Sequence, residues 1–232
     1  NAKYTAWLEG ALVSGGCNTA LTHTNPPAPP ATGGSVMVTW TATSNCQPNV
    51  MCSATFTVTT DNVPPTGPAT IPGAVGYDGC YAAASFLLPF NAIAMAANYT
   101  DNCGGPLTAT LTNTMLTGNN CSWTLKYTFM ISDESGNMLT GRTITHTGAD
   151  YTAPTGTQPP PSTGNSGCMD DAVTTYPFNP VSAAAGYVDN CGAFVMATLT
   201  STSLSGIDCN WTIVYTCSVY DECNNLLTGQ QQ

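Results

Sequence analysis

Between Trp123 and Ile131 the chain alternates. Trp123, Leu125, Tyr127, Phe129 and Ile131 are separated by Thr124, Lys126, Thr128 and Met130. Successive side chains of a strand point to opposite faces, so this period of two predicts a strand with one buried face. Trp211, Ile213, Tyr215, Cys217 and Val219 repeat the pattern. The residues from Leu107 to Thr112 predict the preceding strand, with a turn at Leu116–Asn119, and Gly141–Thr147 predicts a later one. Near the N-terminus, Val36–Ala42 and Ala54–Thr59 read as strands. Tyr4–Leu12 departs from this rule, because its apolar spacing fits a short helix. Many short strands with frequent turn signals predict an all-β chain of sandwich type.

The strands belong to a repeat. Asp101-Asn102-Cys103-Gly104 returns as Asp189-Asn190-Cys191-Gly192, and Cys121-Ser122-Trp123-Thr124 returns as Cys209-Asn210-Trp211-Thr212, each 88 residues on. A fixed period implies an array of like units. Asp61-Asn62-Val63-Pro64-Pro65-Thr66 returns as Asp150-Tyr151-Thr152-Ala153-Pro154-Thr155 and reads as a linker stiffened by proline. The expected organisation is three tandem immunoglobulin-like sandwiches arranged like beads on a string. The first, 1–62, is incomplete; 63–151 is full; 152–232 lacks its last strand.

Composition narrows the function. Only Lys3, Lys126 and Arg142 are basic against 13 carboxylates, a net charge of −10. That balance opposes nucleic acid, whose phosphates demand cations, and an anionic membrane surface. The longest apolar run, Ala82–Ala97, is broken by Pro89 and Asn91 and is too short to span a bilayer, so no membrane insertion is expected. Eleven cysteines without a Cys-x-x-Cys pair predict disulfides and an oxidising, extracellular setting. Cys46 and Cys52 flank a predicted hairpin turn and are the easiest pair to join. Cys80 is expected to bond Cys103 or Cys121, with 80–103 and its repeat 168–191 preferred. Pairs 103–121 and 191–209 would lie roughly 30 Å apart along a hairpin and are rejected. An odd count leaves at least one thiol free or bonded to another chain.

The phrases Asp-Asn-Cys-Gly, Cys-x-Trp-Thr and Asp-Glu-x-x-Asn resemble hyalin-repeat, immunoglobulin-like modules. Such modules are strung together in large secreted surface proteins of Bacteroidetes-type bacteria, including gliding-type adhesins. Ala6-Trp7-Leu8, Gly15-Gly16-Cys17-Asn18 and Val38–Ser44 resemble another repeat of the same proteins. The resemblance implies a β-sandwich, export to the cell surface, and adhesion or fibre building. Phe129 and Ser135 stand where the third unit has Cys217 and Cys223, a departure from the pattern.

Carboxylates are the candidate chemistry. A hairpin would bring Asp101 across from Asp133, with Glu134 adjacent, and Asp189 across from Asp221, with Glu222 adjacent. The first unit lacks both halves of the pair. Oxygen clusters of this kind suit calcium. The bland alternative is that Asp and Asn cap turns. Paired carboxylates could also cleave glycosides, but small repeated units rarely offer a cleft, and no enzyme is expected. A calcium-dependent carbohydrate-binding module, with surface glycans as partners, is the competing reading. Unfinished sandwiches at both ends predict partnership with neighbouring units or copies of the same chain, joined head to tail by strand complementation.

Overall fold

A computed structural model describes residues 2–30, 33–160, 162, 164, 166–192 and 194–232. It is 44% strand and 14% helix, all-β in character as predicted. By contacts the chain divides into two compact units: Asn1–Ala69 with Asn91–Thr110 and Phe129–Arg142, and Thr70–Phe90 with Leu111–Thr128 and Thr143–Gln232. The division runs across the strands of the second repeat and not at the linkers.

In the first unit, helix α1 (Ala2–Glu9) faces a sheet of strands β1 (Ala20–His23), β2 (Gly34–Thr43) and β3 (Val50–Val58), in that order. Tyr4 and Leu8 of α1 and Val38 and Trp40 of β2 are buried together, with Trp7 and Phe56 packed beside them. Trp7 meets the Trp40 ring edge-on at 5.0 Å, and Trp40 Nε1 donates to Leu8 O at 3.2 Å. Burying such side chains contributes roughly 1.5–3 kcal/mol each, so helix and sheet stabilise one another. The β2–β3 ladder sets Cys52 opposite Trp40, well inside the hairpin. Cys52 stays a free thiol on the ladder and does not pair with Cys46. Cys46 is bonded instead to Cys17, Cα to Cα 5.6 Å, across the ends of β1 and β2. Asn45 N to Cys17 O at 3.0 Å holds those ends together.

The second repeat contributes β4 (Thr70–Pro72), β5 (Tyr77–Asp78), α2 (Ala84–Leu87), α3 (Ala92–Ala96), β6 (Thr108–Asn119), β7 (Ser122–Ser132) and β8 (Met138–Ala149). The sheet order is β4-β8-β7-β6, with β5 also on β8; β4 and β5 run parallel to it. β7 is the alternating segment, and its Trp123, Leu125, Tyr127, Phe129 and Ile131 are all buried. The hairpin turns at 120–121, later than predicted, because β6 runs through Leu116–Asn119. The apolar run Ala82–Ala97 folds as α2 and α3 rather than sheet. Asn91 caps α3 by accepting from Ala94 N at 3.0 Å. No described helix is long and apolar enough to cross a membrane.

In the second unit, Trp123 Nε1 donates to Gly79 O at 2.7 Å, and a Cβ at Gly148 would strike the Trp123 ring. Tyr127 packs its ring against Phe90 and His146. The third repeat adds β9 (Thr155–Gly156), α4 (Ala172–Thr175), α5 (Pro180–Ala184), β10 (Tyr187–Val188), β11 (Met196–Ile207), β12 (Asn210–Tyr220) and β13 (Leu226–Gln231). β11, β12 and β13 form one sheet, and β9 pairs with β10. Cys217 fills the core position that Phe129 fills 88 residues earlier. It is wholly buried, and burial pushes its thiol pKa up.

The remaining disulfides correct the expected map. Cys80 bonds Cys191, Cα to Cα 5.2 Å, and Cys121 bonds Cys223 at 4.9 Å. Each ties the second repeat to the third, where bonds within a repeat (80–103, 168–191) were expected. The physical reason is that the end of one repeat carrying Cys80 and Cys121 abuts the start of the next. Cys52, Cys103, Cys168 and Cys209 are exposed free thiols.

Candidate cation sites at two equivalent joints

Each linker aspartate is gripped by two asparagines of the repeat that follows it. In the first unit, Asn137 Nδ2 donates to Asp61 O at 3.1 Å, and Asn102 Nδ2 to Asp61 Oδ1 at 3.3 Å. In the second unit, Asn225 Nδ2 donates to Asp150 O at 3.0 Å, and Asn190 Nδ2 to Asp150 Oδ1 at 3.2 Å. Each aspartate also folds its own turn, accepting from Val63 N and Thr152 N respectively, both at 3.1 Å. Asp61 is 8% exposed and Asp150 2%.

The asparagines are aimed by loops that close β7 and β12. Asp133 Oδ1 accepts from Asn137 N at 2.9 Å and its Oδ2 from Asn137 Nδ2 at 2.8 Å. Asp221 holds Asn225 identically, at 2.9 and 2.7 Å. The tight loop needs a left-handed residue before the asparagine. Gly136 supplies it with φ 88°, and Asn224 with φ 64°. Partial desolvation opposes ionisation of Asp133. The hydrogen bonds from Asn137, Ser135 and Gly136 nonetheless hold its pKa below the ordinary carboxylate value.

Asp101 and Asp189 complete the two groups. Asp101 Oδ2 accepts from Cys103 N at 2.9 Å and Asp189 Oδ2 from Cys191 N at 2.8 Å. Donor atoms of Asp61, Asp101 and Cys103 lie within 4.8 Å of one another, as do those of Asp150, Asp189 and Cys191. Inside these groups Asp101 Oδ1, Asp189 Oδ1 and Asp150 Oδ2 are buried without a hydrogen-bond partner. A buried carboxylate oxygen left unpaired is costly. Asp189 registers that cost: burial raises its pKa, and the charges of Asp150 and Asp221 raise it further against the Cys191 N–H, which lowers it.

Converging, unpaired carboxylate oxygens are what a hard divalent cation takes as ligands. Asp150 Oδ2 with Asp189 Oδ1 could supply them in the second unit; in the first, Asp101 Oδ1 is the unpaired oxygen and Asp61 lies beside it. The disulfide sulfur of Cys191 is not a ligand for such an ion. Of the six acids singled out in the sequence, Asp101 and Asp189 belong to these groups. Asp133 and Asp221 spend both oxygens on asparagine and position the loop. Glu134 and Glu222 lie outside the grouped oxygens, and Glu222 Oε1 accepts from Asn120 Nδ2 at 2.7 Å beside the Cys121–Cys223 bond. Asp61 and Asp150 are additional members. Their repetition was visible in the sequence, but their place in a linker disguised it.

Two other reactive groups near these segments are damped by their surroundings. His146 Nδ1 accepts from Ala74 N at 2.9 Å, and burial lowers its pKa. Burial, then Asp61, Asp101 and Asp133, raise the pKa of Cys103, which disfavours its thiolate. No model of a known protein family matches the chain, and no curated protein matches it in sequence.

Proposed function

We propose that the chain is a structural, adhesive repeat segment of an extracellular surface fibre, built from immunoglobulin-like modules. The observation that carries this reading is the pair of bonds Cys80–Cys191 and Cys121–Cys223, which join consecutive repeats covalently. Disulfides that close a single module only stabilise it. Disulfides between modules transmit load past the linker, and they form in an oxidising compartment. Calcium fits the same reading as a brace for the linker aspartates.

Stretching a single molecule tests it. With the disulfides intact, force passes from Cys80 to Cys191 and bypasses the 111-residue span between them. Unfolding should then release roughly 460 Å less contour length than after reduction, at about 3.3 Å per residue, of which about 370 Å is the Cys80–Cys191 span and the rest the 29-residue Cys17–Cys46 span. Equal lengths in both states would refute the load-bearing role. The carbohydrate-binding alternative has weaker support, since the hollow of about 530 Å³ beside Asp189 is lined by one aromatic ring, the buried Tyr187.

A further inference from the structure

The third repeat carries, unbonded, the same two cysteines that tie the second repeat forward. Cys80 and Cys168 share a backbone conformation, φ −68°, ψ 143° and φ −72°, ψ 148°. Their neighbours are held alike. Trp123 Nε1 donates to Gly79 O at 2.7 Å and Trp211 Nε1 to Gly167 O at 2.9 Å. Tyr81 N donates to Asn120 Oδ1 at 2.9 Å and Met169 N to Asp208 Oδ1 at 3.3 Å. Cys209 stands in the β11–β12 turn as Cys121 stands in the β6–β7 turn. Both Cys168 and Cys209 are exposed thiols.

The receiving side of the joint also has a second edition. Cys223 lies three residues past the end of β12, and Cys46 three residues past the end of β2. Cys191 lies five residues before β11 and Cys17 three before β1. Cys17 and Cys46 are exposed and bonded to each other. The polar pair at the joint is complementary too. Asn120 Nδ2 donates to the Glu222 carboxylate at 2.7 Å. The corresponding residues are Asp208 on the third repeat and Asn45 on the first unit, so carboxylate and amide exchange sides and still match.

We propose that Cys168 and Cys209 form a covalent joint with Cys17 and Cys46 of a second copy of this chain, as Cys168–Cys17 and Cys209–Cys46. This rests on the fibre reading and extends it to polymerisation. The Cys209 thiolate attacks Cys46; the Cys209–Cys46 bond forms, the Cys17–Cys46 bond breaks, and Cys17 leaves as a thiolate. Once the Cys17 thiolate has taken up the proton that Cys209 gave up on ionising, joining Cys17 to Cys168 removes two electrons and two protons. A small-molecule disulfide accepts them and is reduced to two thiols.

The test is oxidation of the purified full chain by glutathione disulfide at rising protein concentration. Expected results are a ladder of multimers on non-reducing gels, and cross-linked peptides Cys168–Cys17 and Cys209–Cys46 by mass spectrometry. C168S/C209S should abolish the ladder. Persistence of monomer, an internal Cys168–Cys209 bond, or cross-links chiefly through Cys52 or Cys103 would overturn the proposal. The pulling experiment reads Cys80–Cys191 within one chain, so the fibre reading can survive that failure.

Discussion

Asn225 reaches back across the linker and donates to the main-chain oxygen of Asp150 at 3.0 Å, while the same amide nitrogen serves Asp221 Oδ2 at 2.7 Å. One side chain thus fixes both the loop that ends β12 and the entry to the third repeat. Asn225→Ala should cost about 1–3 kcal/mol in denaturant unfolding, because it strands buried acceptors. Asn137→Ala should do the same in the first unit. A change under a few tenths of a kcal/mol in both would show that these bonds do not hold the linker.

Calcium should raise the melting temperature of the full chain. At a hundredfold excess over its dissociation constant a single site adds about 2.7 kcal/mol. D150N keeps the shape of the site and removes a charge. It should be neutral or mildly stabilising without calcium and should lose the part of the calcium-dependent gain that comes from the Asp150–Asp189 site, leaving the part from Asp61 and Asp101. Calorimetric titration that finds no binding to the wild-type chain would exclude the site.

Stability should fall on mild acidification through His146. Its folded pKa lies below the ordinary 6.5 because it is buried, so the unfolded chain takes the proton first. The stabilisation is full above that ordinary value and is lost as pH falls through the lowered one. His146→Gln should flatten this part of a pH–stability curve. At lower pH, Asp133 and Asp189 act oppositely. Protonation against the lowered pKa of Asp133 removes stability as pH falls through it. Asp189, with its raised pKa, gives some back as it is neutralised.

Reduction should destabilise the second unit more than the first. Cys80–Cys191 and Cys121–Cys223 close spans of 111 and 102 residues, and Cys17–Cys46 one of 29. Chain-entropy arguments assign about 4.7 kcal/mol to a loop near 100 residues and somewhat over 3 to the short one. Cys80→Ser, read by guanidinium unfolding, checks this; equal costs for Cys80→Ser and Cys17→Ser would contradict it.

Strand β7 was legible because an amphipathic strand writes its buried face into every second residue. α1 was legible through the spacing of Tyr4 and Leu8. The helical turns were missed although Asn91 and Asn179, ahead of small apolar runs, are cap signals; Asn179 accepts from Val181 N and Ser182 N. The cysteine map was not legible. Sequence spacing reports which cysteines share a repeat, whereas pairing depends on which surfaces meet. The two acid groups were half legible. Asp101 and Asp189 sit in a repeated phrase, but only the return of the linker against the Asn102 and Asn190 loops adds Asp61 and Asp150.

The Cys80–Cys191 and Cys121–Cys223 bonds carry a mechanical consequence. Together with the linker at Asp150 they make three attachments between the second repeat and the third, and a body pinned at three points cannot swivel. At Asp61 the polypeptide is the covalent tie, with Cys103 unbonded and Ser135 in place of a cysteine. Torque would therefore be passed on covalently at Asp150, and at Asp61 only through the hydrogen bonds of Asn102 and Asn137 and the packing around them.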